Sequence, residues 1–256
     1  TNNRTSFKDK RGNTTTYTYD SRGNLLTSTY TLSGVTTYTY DADNNLLSQT
    51  DPLSRATTFV YDGEGNLTSK TNAMNGVTTY AYYSDTNRKG LLFTQTDPLA
   101  RVTTFDYNVQ GDLTSITDAL NHATTRTYDA GGRRLTETDP LGHTTTYTYD
   151  NANRVLTITD PEGGVTTNTY DAVGNLLTTT DPLGHTTIFT YTVKDKIATI
   201  TDAEGYVTTY GYDTVGNQTS VTDGNNHTTT YAYDGANRMT GMTNPLGKTT
   251  TYAYDA

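Results

Sequence analysis

The sequence predicts an all-β protein made of tandem 21-residue β-hairpin repeats, and three regularities carry that prediction. A motif of the Tyr-x-Tyr-Asp type returns at a fixed period, residues that tolerate a left-handed backbone fill one slot after it, and all six prolines fall in a single other slot.

The period is read from the second aromatic of the motif, at Tyr19, Tyr40, Tyr61, Tyr82, Tyr107, Tyr128, Tyr149, Tyr170, Tyr191, Tyr212, Tyr233 and Tyr254. The spacing is 21 throughout, except for 25 between Tyr82 and Tyr107, where four residues are inserted near 83–90 and the register then resumes. Self-similarity of this length marks a repeat array. Residues 1–256 are therefore one array of about 12 repeats rather than one or two conventional domains.

Each repeat reads as strand, turn, strand, turn, as in residues 144–150, 151–154, 155–159 and 160–163. Alternate strand side chains share a face, so Thr145, Tyr147 and Tyr149 lie together and Thr144, Thr146 and Thr148 lie opposite. The expected product is one long antiparallel sheet, two strands per repeat, with marker tyrosines on one face and the two kinds of turn on opposite edges.

Four residues beyond each marker tyrosine stand Gly23, Asn44, Gly65, Gly111, Gly132, Asn153, Gly174, Asp195, Gly216 and Asn237, with Gly90 the equivalent in the expanded repeat. Only Gly, Asn and Asp occur there, which predicts positive φ. The second turn reads as looser. Pro52, Pro98, Pro140, Pro161, Pro182 and Pro245 share one of its slots, each after Asp or Asn, as position i+1 of a β-turn requires.

Composition fits a sheet without a thick core. Hydrophobic residues make up 32% and mean hydropathy is -0.69, yet Thr and Tyr, which suit a half-buried pleated surface, are abundant. A formal charge of -9 with no basic cluster argues against nucleic acid. No 18-residue apolar run or basic-then-apolar leader is present, so neither membrane insertion nor export is encoded within this segment. The absence of Cys removes disulfides and thiolate metal sites.

The segments Tyr19-Asp-Ser-Arg-Gly-Asn-Leu-Leu26 and Tyr170-Asp-Ala-Val-Gly-Asn-Leu-Leu177 resemble the Tyr-Asp-x-x-Gly-Asn/Arg-Leu core of the YD (Rhs) repeat family. The resemblance covers essentially the whole chain. It implies a spiralling antiparallel sheet, as an open solenoid, hollow shell wall or fibre, of the kind found in bacterial Rhs polymorphic toxins, Tc toxin BC shells, wall-associated proteins and teneurins. In the toxin relatives the shell encloses a C-terminal toxic domain. Tyr83, Asn108 and Thr192 stand where the family has Asp, which questions that contact in those repeats. The stretches at Asp139, Asp181 and Asn244 resemble fragments of the family's Asp-Pro-x-Gly-Leu self-cleavage motif, but His143, His185 and Lys248 replace the final Leu, so they are read as turns.

Candidate chemistry is thin. His122, His143, His185 and His227 share one slot, one or two repeats apart, and equivalent atoms of successive hairpins should lie about 9.5 Å apart, too far for shared metal coordination. They read as solvated turn-edge histidines. Each Asp-rich turn supplies one or two carboxylates where Ca²⁺ needs about 6 to 8 oxygens. A carboxylate repeated in equivalent surroundings lacks the singular environment that tunes a catalytic group, so no enzyme, cofactor or metal is expected.

Two functional classes stay open: wall material that encloses or scaffolds a cargo domain, and an adhesive or fibre-forming surface binding glycan through its tyrosine rows. Expected partners are flanking domains of the same protein, an enclosed cargo, or further copies in a fibre. The expected setting is extracellular or cell-surface, in a bacterium. The chain starts and ends inside repeats, closing on Tyr254-Asp255-Ala256, and is read as an excerpt of a longer protein or assembly. Uniformity predicts that substituting a single repeat aspartate such as Asp150 or Asp171 leaves function largely intact, whereas Gly174→Val damages local folding.

Overall fold

The computed structural model describes residues 3–9, 12–31 and 34–254. Asp255 and Ala256, on which the last repeat closes, lie outside the described residues. Twenty-four strands and no helix occur among those described. Two compact units divide the chain, Thr1–Tyr128 with Asp139–Leu141, and Asp129–Thr138 with Gly142–Ala256. In the first, twelve strands from Ser6–Lys8 to Ala123–Tyr128 each pair antiparallel with the next in sequence. In the second, twelve strands from Arg134–Thr138 to Thr249–Thr251 do the same.

The local cause is a tight turn at each strand end. In residues 150–154, Asn153 N donates to Asp150 O at 3.2 Å and Asp150 N to Arg154 O at 3.0 Å. This is a type I turn followed by a left-handed residue, a favoured three-residue hairpin loop. The ten slot residues from Gly23 to Asn237 have φ between 55° and 110°, and Gly90 has 80°.

The second turn is not looser. At Asp97, Ala100 N donates to Asp97 O and Asp97 N to Arg101 O, both at 3.0 Å, and Ala100 has φ 59°. Prolines sit at i+1 as expected. Ser54 (φ 62°) and Ala100 occupy a slot held elsewhere by Gly or Asn, and these two side chains hid the rule.

A register shift recurs beside the marker tyrosine. Thr148 faces Thr157 but Tyr149 faces Val155, so Leu156 is extra, a β-bulge on the second strand of the hairpin. Equivalent shifts occur at Tyr19, Tyr40, Tyr61, Tyr82, Tyr107, Tyr170, Tyr191, Tyr212 and Tyr233. The sequence pattern gave no sign of it.

The faces alternate as read: Thr146 and Thr148 are exposed, whereas Thr145, Tyr147 and Tyr149 are half-covered. Among the described residues no hydrophobic side chain is buried. The accessible surface is 16370 Å², against about 11,000 Å² for a compact chain of 28.0 kDa. The sheet therefore holds together without a core of its own.

The insertion makes a longer hairpin loop between strands Val77–Tyr82 and Leu92–Thr96, whose pairing continues on either side of it. It is closed by Tyr83 N to Leu91 O at 2.9 Å and Gly90 N to Tyr83 O at 3.1 Å. Its first residue turns back over the sheet: the Tyr83 ring lies 4.9 Å from Phe93 and 6.1 Å from Tyr107.

Candidate functional site

The residues singled out by the repeat form a lattice of side-chain bonds along the turns and one face. Its first component is the turn aspartate. Asp150 Oδ1 accepts from Ala152 N at 2.8 Å and Arg154 N at 3.0 Å, while Oδ2 accepts from Arg154 Nε at 2.6 Å. Asp97 repeats this on the other edge with Leu99 N, Arg101 N and Arg101 Nε, at 2.9, 3.0 and 2.7 Å. Most repeat aspartates are thus turn organisers bonded to residues i+2 and i+4, whereas the Asp160 carboxylate bonds Gly164 N alone.

The i+4 side chain varies without changing the design. Asn175 Nδ2 donates to Asp171 Oδ2 at 2.9 Å, and His122, His185 and His227 place Nδ1 at 3.0, 2.8 and 3.2 Å from Asp118, Asp181 and Asp223. The histidines are therefore turn clamps as well as exposed edge groups; His143 shares the slot and is also partnered. At two of the three positions where the family aspartate is missing, its job is taken over. Asn108 Oδ1 accepts from Gln110 N and Asp112 N, with its own amide donating to Asp112, a reversal of roles. Thr192 Oγ1 accepts the same two bonds at a longer 3.3 Å.

The second component is the marker tyrosine. Tyr170 OH donates to Val155 O at 2.9 Å, fifteen residues earlier in the preceding repeat, where the bulge interrupts the ladder. Tyr19, Tyr61, Tyr82, Tyr128, Tyr149, Tyr191, Tyr212, Tyr233 and Tyr254 make the equivalent bond to Arg4, Leu46, Leu67, Leu113, Arg134, Leu176, Ile197, Gln218 and Met239. Tyr40 and Tyr107 do not make it. Turn and tyrosine meet where i+4 is basic: Arg133, held by Asp129, stacks 5.2 Å from the Tyr149 ring centroid and donates to Asp150 O at 3.0 Å. Arg154 does the same to Tyr170 and Asp171.

On the opposite face, threonine hydroxyls pair across strands, as in Thr148 with Thr157 at 2.6 Å and Thr169 with Thr178 at 2.7 Å. Among the described residues no group of three His, Cys, Asp or Glu side chains converges as a metal site would need. No buried side-chain nitrogen or oxygen there lacks a partner. One group has unlike surroundings: burial first, then its hydrogen bond to Asp106, push the Tyr83 hydroxyl up to about 12. That ring packs against Phe93, Tyr107 and the Arg88 guanidinium.

The hydrogen bonds lower turn carboxyl pKa values. The Arg55 side chain and then its backbone N–H hold Asp51 below the usual range, and Arg101 does so for Asp97; at Asp129 and Asp234 the backbone N–H of Arg133 and Arg238 contributes most. A depressed folded-state pKa stabilises above the unfolded value of about 3.9, and that stabilisation is lost as pH falls through the folded value. The melting temperature is accordingly expected to hold steady from neutral pH to about 5 and to fall below about 4, measured by circular dichroism. Tyr170→Phe is expected to cost about 1 kcal/mol and to speed amide exchange in the strand around Val155, whereas Tyr40→Phe, with no such bond to lose, is expected to do neither.

With the geometry in hand, comparison places the chain. The Teneurin YD-shell family matches residues 1–181, and the RHS Repeat family matches residues 170–205, 193–228 and 212–249. No curated protein matches. Among solved structures, a chain of TcdB2-TccC3-Cdc42 superposes with a TM-score of 0.57 at 18% identity, over 95% of this chain and 17% of that one. TcdB2-TccC3 gives 0.57 at 18% over 93% and 16%. The Photorhabdus luminescens Tc holotoxin pore, carrying a TccC3 substitution, gives 0.57 at 18% over 95% and 17%. This chain thus spans about a sixth of those proteins, and at that identity the likeness is one of fold. Twelve phased repeats and the family match over residues 1–181 together establish that the chain belongs to the Teneurin YD-shell family.

Proposed function

We propose that this array is wall material: a stretch of single-layer β-sheet that encloses or scaffolds a cargo domain in a secreted or surface-exposed bacterial protein. The observation that carries the reading is the absence of a buried hydrophobic side chain among the described residues, although the backbone is regularly hydrogen-bonded throughout both units. A catalytic domain concentrates unlike groups in one place; here the repeated polar groups close turns or tie one repeat to the next. Membership of a YD-shell family and likeness in fold to Tc holotoxin structures support the same reading. The adhesive alternative draws less support, because the marker hydroxyls that would meet a glycan mostly donate to backbone carbonyls instead.

A barrier protects what lies behind it. Where the parent protein carries a cargo domain beside the array, limited proteolysis is expected to leave that domain intact while the array is folded. Gly174→Val, which forces a β-branched residue onto a φ of 110°, is expected to expose that domain. A cargo domain cut as fast within the parent protein as when produced alone would contradict the wall reading.

A further inference from the structure

The two edges of the first unit differ in chemistry. On the edge formed by its second turns, the five i+2 positions from residue 53 onward carry Leu53, Met74, Leu99, Leu120 and Leu141, which are 71%, 86%, 73%, 73% and 81% exposed, whereas Arg11 and Leu32, outside the described residues, hold that slot in the two earlier turns. The preceding i+1 positions are Pro52, Ala73, Pro98, Ala119 and Pro140, so each turn tip presents two adjacent apolar side chains. On the edge formed by the first turns, the corresponding i+2 residues are Arg22, Asp43, Glu64 and Gln110. Chance exposure of single leucines needs no explanation, but five apolar tips in register form a contiguous stripe.

Several carboxylates along that stripe are locally paired, while Lys70 lines one of its notches. Asp51 is paired with Arg55 and Asp97 with Arg101, both at 2.6 Å, and Asp118 is held by His122. Asn72 replaces Asp in the remaining complete turn and bonds Gly76 N. Two of the intervals between successive tips hold notches. One of about 620 Å³ is bounded by Asp97, Ala100 and Arg101 on one turn and Asp118, Ala119 and Leu120 on the next. A smaller one of about 240 Å³ lies between the turn containing Asp51 and Arg55 and the turn containing Ala73.

The tips recur at the hairpin pitch, about 9.5 Å, two strand spacings. A surface complementary to them needs apolar knobs at the same pitch, and this edge itself supplies such a surface. We infer that the second-turn edge of the first unit docks against the same edge of a second copy of this chain, with the leucine tips of each seated in the notches of the other. At on the order of 100 Å² of apolar surface per leucine or methionine, five tips with their prolines and alanines approach the roughly 600–800 Å² per partner at the low end of specific interfaces. An interface at that low end fits a reversible association. In the second unit the same slot is broken by Glu162, Glu204 and Asn225, which confines the contact to the first. The inference is independent of cargo enclosure.

Sedimentation equilibrium of the 256-residue chain tests it. A monomer–dimer equilibrium is expected, weakened at least tenfold in the Leu53→Asp, Leu99→Asp, Leu120→Asp triple variant. These tips lie outside the strands, so the variant should keep the parent's far-ultraviolet spectrum and melting temperature. The chain has no cysteine, so single-cysteine variants give a second readout: Leu99→Cys should form a disulfide-linked dimer readily on oxidation, whereas Gln110→Cys, on the opposite edge, should not. A chain that stays monomeric at high micromolar concentration, a triple variant that dimerises as tightly as the parent, or equal crosslinking at Leu99 and Gln110 would overturn the inference.

Discussion

A sheet with water on both faces must be held by something other than burial, and here that constraint falls on the turns. Folding fixes about 1–2 kcal/mol of backbone entropy per residue, which a globular domain offsets with apolar burial that this chain largely lacks. The turn aspartate offers a local substitute. By accepting from the i+2 and i+4 N–H groups it ties down five residues with one side chain, as Asp150 does, and thereby fixes the register of the strands on either side. Because both edges use the device, most strands are anchored at both ends.

Local closure alone would give independent hairpins, and an isolated two-stranded hairpin is marginal in water. The array is coupled by groups that reach the neighbouring repeat: the tyrosine hydroxyl at the bulge carbonyl, the arginine stacked on that tyrosine's ring, and asparagines such as Asn24 and Asn217 bonded to Asn44 and Asn237 at 2.8 and 2.9 Å. Each bond is small, about 0.5–1.5 kcal/mol net. Repetition makes them collective, as expected of an array whose stability is a sum of units and nearest-neighbour terms. A wall built this way needs no interior of its own, which leaves both faces free for whatever it borders.

Much of this was legible in the sequence where one residue type answers one backbone demand. The Gly23-to-Asn237 slot declared a left-handed residue because few side chains tolerate it, and the marker spacing declared the hairpin. The equivalent slot of the second turn was hidden by Ser54 and Ala100, which adopt the same φ at a cost that the surrounding turn bonds meet. The bulge left no trace, since Val155 and Leu156 are ordinary strand residues; it became visible only through the register. The bond from Tyr170 to Val155 was likewise illegible, because a carbonyl acceptor has no side-chain signature. The exchange of Asn108 and Asp112 kept the geometry while moving the charge, which residue-by-residue matching to the motif does not capture.

The central claim is that turn and side-chain bonds, rather than apolar burial, carry this fold. Heat capacity tests it most directly, because the heat-capacity change of unfolding follows apolar surface exposed, at about 12–15 cal/mol/K per residue for ordinary globular proteins. Differential scanning calorimetry of the dilute monomer is predicted to give a value per residue clearly below that range. A value within it would mean that the array buries a conventional share of apolar surface, and the account of a coreless sheet held by its turns would be contradicted.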